Sequence, residues 1–328
     1  MKTNKRTINF LLDHVVEIML VMVIIALALT KPSFITVANW LNIFRNISMK
    51  GIIAFGMLMV IVAGQIDLSI GSMVGLAGVI VARACRDLPG AAGMSVTAAC
   101  IIGIILALLC AGVMGFIHGW SQHRWKMPAF IVTLATQNLM YGLAGILSGG
   151  FPIANTFPEW FIFLGTGRIG GPKGVPVPAI IMVALFFVLF FVMRYTTTGR
   201  AIYATGGNAE SARLSGINVL AAKTIAFISI QAMCVLAGLM NSAQVYSGSF
   251  SFGRGWEVDV ISAVVIGGAS MDGGIGKPWG TFVGIIFLGV IINGMTILDI
   301  STYMQYVIRA VLMFLAVLVA TYRNRARG

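Results

Sequence analysis

The sequence predicts an all-α fold, a polytopic bundle of about ten membrane-spanning helices, eight at the fewest, with broken or re-entrant segments among them. Two observations carry that prediction. Of the 328 residues, 59% are hydrophobic and only 10% are charged, whereas soluble domains carry about 25% charge. The apolar residues also fall in long runs separated by short polar connections, and about 20 apolar residues suffice for a helix to cross the hydrocarbon core. The whole chain, 1–328, therefore reads as one transmembrane domain rather than the two soluble domains that its length would otherwise suggest.

By this length criterion helices are expected over 12–30, 51–66, 68–83, 95–117, 129–148, 178–194, 224–245, 259–271, 278–297 and 303–321. The first run follows His14, has Asp13 and Glu17 at its front, and is too long for a signal peptide, with no convincing cleavage site before Lys31. It is read as a retained helix. The second and third are short and meet at the polar stretch AGQIDLSIGS, and the eighth is short as well. Short, glycine-interrupted segments are tolerated at membrane depth only where their freed backbone groups face protein or a wet cavity. The last run, 303–321, carries Arg309 mid-helix, which needs a partner or water; Asp67, Glu257 and Asp259 are the candidates.

Charge sets the orientation. With both termini cytoplasmic, the inner segments hold Lys2, Lys5, Arg6, Arg124, Lys126, Arg194, Arg200, Arg213, Lys223, Lys277, Arg323, Arg325 and Arg327, thirteen of the 22 basic residues. Eight fall outside, among them Lys31, Arg45, Lys50, Arg83 and Arg86. An excess of Lys and Arg marks the cytoplasmic side.

Several functions are set aside on composition. The net charge of +12 lies in scattered loop ends without an aromatic-rich basic stripe, so no nucleic-acid partner is expected. Cys85, Cys100, Cys110 and Cys234 have no CxxC spacing, and buried cysteine behaves as a small hydrophobe. His14, His118 and His123 form no HExxH or nucleophile pattern, so neither a metal site nor an enzyme is expected. The glycines of IGGASMDGGIGKPWG, 266–280, permit a sharp turn or tight packing, but the GxxxxGK[ST] order of a phosphate loop is absent.

Intramembrane polar residues are costly and mark pathways or helix contacts. One group is Gln65, Asp67 and Ser69, where Asp67 serves either as a helix-start acceptor of backbone N–H groups or as a solute contact. A second is Asn241, Gln244, Tyr246, Trp256, Glu257 and Asp259, around the GSFSFGRGWE connection placed at the outer face. Such aromatics and amides suit a polyhydroxylated solute, and Tyr246 and Trp256 suit interfacial anchoring equally. The polar stretch 195–222 separates two apolar runs: Asn208 is placed to cap a short helix, Glu210 occupies its first turn, Arg213 offers a charge to a partner, and Gly216 ends it.

GQIDLSIGS, GRAIYATGGNAESARLSGI, VIGGASMDGGIGKPWGT and YMQYVIRAVLM, in this order, resemble the permease subunits of bacterial ABC importers for ribose, galactose, arabinose and xylose, over about Phe34 to Tyr322. Ile66 and Ile70 depart mildly from that pattern, which usually has Gly before its Asp-Leu-Ser and Val or Ala after it. The resemblance implies a bacterial inner (plasma) membrane protein paired with itself or a homologous permease. A separate cytoplasmic ATPase would hold ATP and Mg, this chain having no cofactor, and an extracytoplasmic binding protein would deliver the solute. It also implies a coupling loop over Gly199, Arg200, Gly206, Gly207, Asn208, Glu210, Ala212, Arg213 and Gly216, docked on the ATPase, with no tight sugar site in the permease itself. The stretch 149–177, containing Pro152, Pro158, Pro172 and Pro176, is expected to receive the binding protein or to be a mobile loop. Permeases for nucleosides, branched-chain amino acids or a furanosyl signal molecule remain alternatives, as does an ion-coupled secondary transporter.

Overall fold

The computed structural model describes residues 14–154 and 156–325. Lys2, Lys5, Arg6, Asp13 and Arg327 lie outside the described residues. Among the described residues the chain is helical almost throughout. A first helix α1 (Val15–Thr30) and a short 3-10 turn (Pro32–Ile35) lead into α2 (Val37–Val62), α3 (Ile70–Ala92), α4 (Val96–Trp125) and α5 (Ala129–Ser148). Next come strand β1 (Ile153–Ala154), α6 (Glu159–Thr166), strands β2 (Arg168–Ile169) and β3 (Val175–Pro176), and α7 (Val177–Tyr195). The second half holds α8 (Thr197–Gly207), α9 (Ala209–Leu214), α10 (Val219–Val245), β4 (Ser247–Gly248), α11 (Trp256–Ile266), α12 (Pro278–Ile297) and α13 (Thr302–Arg325).

Six helices, α2, α4, α5, α7, α10 and α12, are long and apolar enough to cross a membrane. Their outer surfaces remain apolar, as with Ile105, Leu109, Val113 and Phe116 of α4. That suits a surface bathed in lipid, where burying such side chains brings no gain over leaving them in acyl chains. The core forms around α10, which packs against α2, α3 and α4.

Several boundaries differ from the sequence expectation: α4 runs to Trp125 where 117 was expected, and α10 starts at Val219 where 224 was expected. The second and third helices are not short: α2 has 26 residues and α3 has 23. Asn39, Asn42, Arg45, Asn46 and Lys50 break the apolar run that a hydropathy criterion seeks. Yet Asn39, Ile43, Asn46 and Lys50 repeat at i, i+4, i+7 and i+11, one face of a helix. Lys50 is thus a residue of the bundle rather than an outer loop charge. The eighth helix is short, with 11 residues, and stops at Ile266 because Gly267 and Gly268 follow, the latter at φ 93°.

Two stretches without helix run inside the bundle. Residues 63–69 join the end of α2 to α3, and 249–255 lead into α11. The second of them runs along a glycine stripe on α3, where Gly71, Gly75 and Gly78 share one face. A β-carbon at Gly75 would lie 2.9 Å from the Phe250 carbonyl oxygen, and one at Gly71 would collide with the Gly253 carbonyl. The bare face draws the GSFSFGRG backbone inward. The connection therefore lies along α3 from Gly248, which seats on Gly78, to Gly253, which rests on the first turn, while Ser251 and Arg254 stay exposed. The 149–177 region is built rather than loose: β1 pairs antiparallel with β4, β2 with β3, and Gly165 of α6 seats against α10.

Candidate functional site

The polar stretch 195–222 folds as two short helices. Thr196 caps α8 by accepting the Gly199 N–H at 3.2 Å, and Asn208 caps α9 by accepting the Ser211 N–H at 2.8 Å. Gly216, at φ 82°, closes α9 as the Gly216 N–H reaches the Arg213 carbonyl and the Ile217 N–H reaches the Ala212 carbonyl, each at 3.0 Å. That left-handed glycine with its paired return bonds is the usual helix stop. Arg213 donates to both Glu210 carboxylate oxygens, at 2.6 and 3.1 Å, so α9 shows an exposed neutralised pair rather than a lone cation. The same hydrogen bond and charge hold the Glu210 carboxyl below its ordinary value. Leu214, 74% exposed, adds an apolar tip. Arg200 is exposed and Ala212 buried.

Gly199 and Gly206 anchor this segment to the bundle. A β-carbon on Gly199 would strike the Val192 carbonyl of α7, and one on Gly206 the Val62 carbonyl at the end of α2. Gly274 of the glycine turn after α11 donates its N–H to the same Val62 carbonyl at 2.8 Å and packs on Gly207. Tyr203 donates to the Gly276 carbonyl at 2.6 Å. Thus α8, the end of α2 and the turn 270–277 meet in one knot, which accounts for Gly273, Gly274 and Gly276, while Gly267 and Gly280 pack on each other between α11 and α12.

The polar residues of the membrane interior separate into distinct groups. Asp67 and Ser69 are wholly buried. Asp67 accepts the Ser69 N–H at 2.9 Å and its hydroxyl at 2.6 Å, just ahead of the first residue of α3. Gln231 of α10 donates to the other carboxylate oxygen at 2.7 Å, and His118 of α4 lies 3.6 Å away with its far nitrogen 2.7 Å from the Thr136 hydroxyl. The arrangement ties α3, α4, α5 and α10 together; Gln65 sits half-buried beside it. Arg309 pairs with Asp259, at 3.3 Å, and not with Asp67 or Glu257. Lys50 shares the same Asp259 oxygen at 2.5 Å and lies over the Trp256 ring at 5.7 Å. Lys50 and Asp259 edge a cavity of about 170 Å³ between α2, α11 and α12, whose polar lining also includes Asn46, Asn293 and Thr296. Glu257 turns toward Gly71 instead. Asn241 and Gln244, both half-buried, and the exposed Tyr246 sit in the last turn of α10 and just past it, so the second sequence group divides in two.

Sequence reading does not single out Lys50, Asn39, Asn46, Asn293, His118 or Gln231 as members of these groups. The helical spacing of Asn39, Asn46 and Lys50 was the available signal. For His118 and Gln231, single polar residues in long apolar helices, there was none beyond their cost in a membrane.

The family described as branched-chain amino acid transport system / permease component matches residues 39–317. The ribose import permease protein of Escherichia coli (strain K12) is 37% identical over 299 residues, covering 91% of this chain and 90% of that protein. The ribose import permease protein of Bacillus subtilis (strain 168) is 34% identical over 301 residues, 91% and 89% of the two chains. The L-arabinose transport system permease protein of Escherichia coli (strain K12) is 34% identical over 303 residues, 92% and 88%. No solved structure matches the chain.

Proposed function

The chain belongs to the branched-chain amino acid transport system permease family, and on that premise we propose that it is the membrane-spanning subunit of an ATP-binding-cassette importer for a monosaccharide. The relatives named for ribose and arabinose transport support the sugar. One structural observation carries the mechanism: the α8–α9 segment is capped, exposed at its tip, and locked through Gly206 to the end of α2 and the turn at Gly274. A partner ATPase that grips Leu214 and the Glu210–Arg213 pair would move three parts of the bundle at once.

The energy enters from outside this polypeptide. ATP and Mg bind the partner, this chain contributes no cofactor, and nucleotide-driven closure shifts the permease between outward- and inward-open states by its different affinity for the two. A second copy or a homologous permease completes the pore in the bacterial inner membrane, and an extracytoplasmic binding protein delivers the sugar and sets its identity. The permease holds the sugar weakly, since tight binding slows release.

The test is ATP hydrolysis and sugar uptake in proteoliposomes holding the chain with its cognate ATPase and binding protein. Leu214→Asp places a charge at the apolar tip, and Arg213→Glu sets two carboxylates side by side. Both should abolish uptake and co-purification of the ATPase while the permease remains folded. Uptake by the permease alone, driven by an ion gradient and indifferent to ATP, would instead make it a secondary transporter. Uptake of an amino acid or nucleoside in place of sugar would keep the ABC mechanism and change the cargo.

A further inference from the structure

Helix α5 has 20 residues, and at the usual rise of 1.5 Å per residue it spans about 30 Å, the thickness of the hydrocarbon core. Gln137, Asn138 and Tyr141 sit at its middle. The Arg254 guanidinium lies 5.7 Å from the Tyr141 ring, and Phe250 meets that ring edge-on at 5.4 Å. With Phe252 these side chains line a recess of about 180 Å³ between α3, α5 and the non-helical stretch 249–255. Arg254 and Asn138 are exposed.

That exposure is incompatible with lipid. A guanidinium and an amide at mid-helix depth are costly against acyl chains, and they are found facing protein or water. None of the described residues covers them. The recess is also smaller than the roughly 300–1,000 Å³ of ordinary small-molecule pockets, which fits half of a site whose other half comes from a facing subunit. Its chemistry is selective: Gln137 and Asn138 each offer both a donor and an acceptor, as vicinal hydroxyls require, and Tyr141, Phe250 and Phe252 offer ring faces to C–H groups. No carboxylate lines it, and its one cation is stacked on Tyr141. The cavity beside Lys50 and Asp259 differs, because its charges already satisfy one another.

We propose that the recess formed by Gln137, Asn138, Tyr141, Phe250, Phe252 and Arg254 is one half of the sugar-conducting waist, facing a water-filled path between two permease subunits and making transient contacts to a neutral polyhydroxylated solute. The proposal rests on the permease reading above.

Two experiments separate it from that reading. The first is labelling by a membrane-impermeant thiol reagent in the intact complex, with the parent protein as background, since Cys85, Cys100 and Cys234 are buried and Cys110 is half-buried. Leu134→Cys, Asn138→Cys and Tyr141→Cys, one face of α5, should label, and Leu139→Cys, more than a third of a turn from the centre of that face, should not. Equal failure at all three recess positions, or labelling at 139 alone, overturns the proposal whatever the cargo. The second is transport: Asn138→Leu and Tyr141→Ala should lower sugar uptake at least tenfold while ATPase activity stimulated by the binding protein stays within about twofold. Unchanged uptake in both variants, with 138 labelled, makes the recess a solvated subunit contact and overturns the sugar-contacting role. Absence of ATP-driven uptake in the unaltered complex sinks the permease reading and leaves the labelling result standing.

Discussion

Asp259 neutralises two cations with one oxygen, since Lys50 and Arg309 both reach its Oδ2, at 2.5 and 3.3 Å. A half-buried ion pair adds little over an apolar replacement, but removing one partner strands the other charge at a cost of about 3–5 kcal/mol. Asp259→Asn strands two. It should lower the thermal unfolding midpoint of the detergent-solubilised protein far more than Lys50→Met, which leaves Asp259 paired with Arg309. Midpoints unchanged from the parent protein in both variants would show that the triad carries no net stability. At the surface the Glu210–Arg213 pair makes a different prediction. Its folded-state carboxyl value is lowered, so the contribution is present above the unfolded value, about 4.3, and is lost as pH falls through the folded one. Amide protection in α9, corrected for intrinsic exchange, should therefore stay level from pH 8 to 5 and fall only in more acid solution. A decline between pH 8 and 6 would contradict the pairing.

At the scale of elements, the knot of α8, the end of α2 and the turn at Gly274 is held by backbone approach, not by side chains. Gly206→Val inserts carbon where the Val62 carbonyl lies and forces α8 off α2. The expected result is a permease that still retains its ATPase, because α9 keeps its caps, yet hydrolyses ATP without uptake. Full uptake in this variant would show that α8 does not transmit motion through Gly206. The caps and stop of α9 were legible because Asn208, Glu210 and Gly216 each act on their own backbone neighbourhood, and local chemistry is what a sequence displays. The start of α2 was not, because Asn39 and Lys50 find their partners in Asn293 and Asp259, more than 200 residues along the chain. The inward course of residues 249–255 was hidden for the same reason: its explanation is a glycine face on α3, and glycines on a helix do not name what packs on them.

For the whole molecule, α2 links the two working regions. Its end, Val62, sits in the knot with α8 and the turn at Gly274, and Lys50 lies 12 residues earlier, about 18 Å along the axis, at the edge of the cavity with α11 and α12. Because α2 is helical without interruption over that length, the proposed pull of an ATPase on α8 would tilt α2 as a unit. The cavity wall formed by Asn46 then moves relative to Thr296 on α12. Spin labels at Asn46→Cys and Thr296→Cys, introduced after replacement of the four native cysteines, should give different distance distributions in the nucleotide-free complex and in the complex trapped with ATP. Superimposable distributions would show that α2 and α12 move together. The rocking would then have to occur across the other face of α2, against α7 and α10, with the Lys50–Asp259–Arg309 group riding as part of one rigid half.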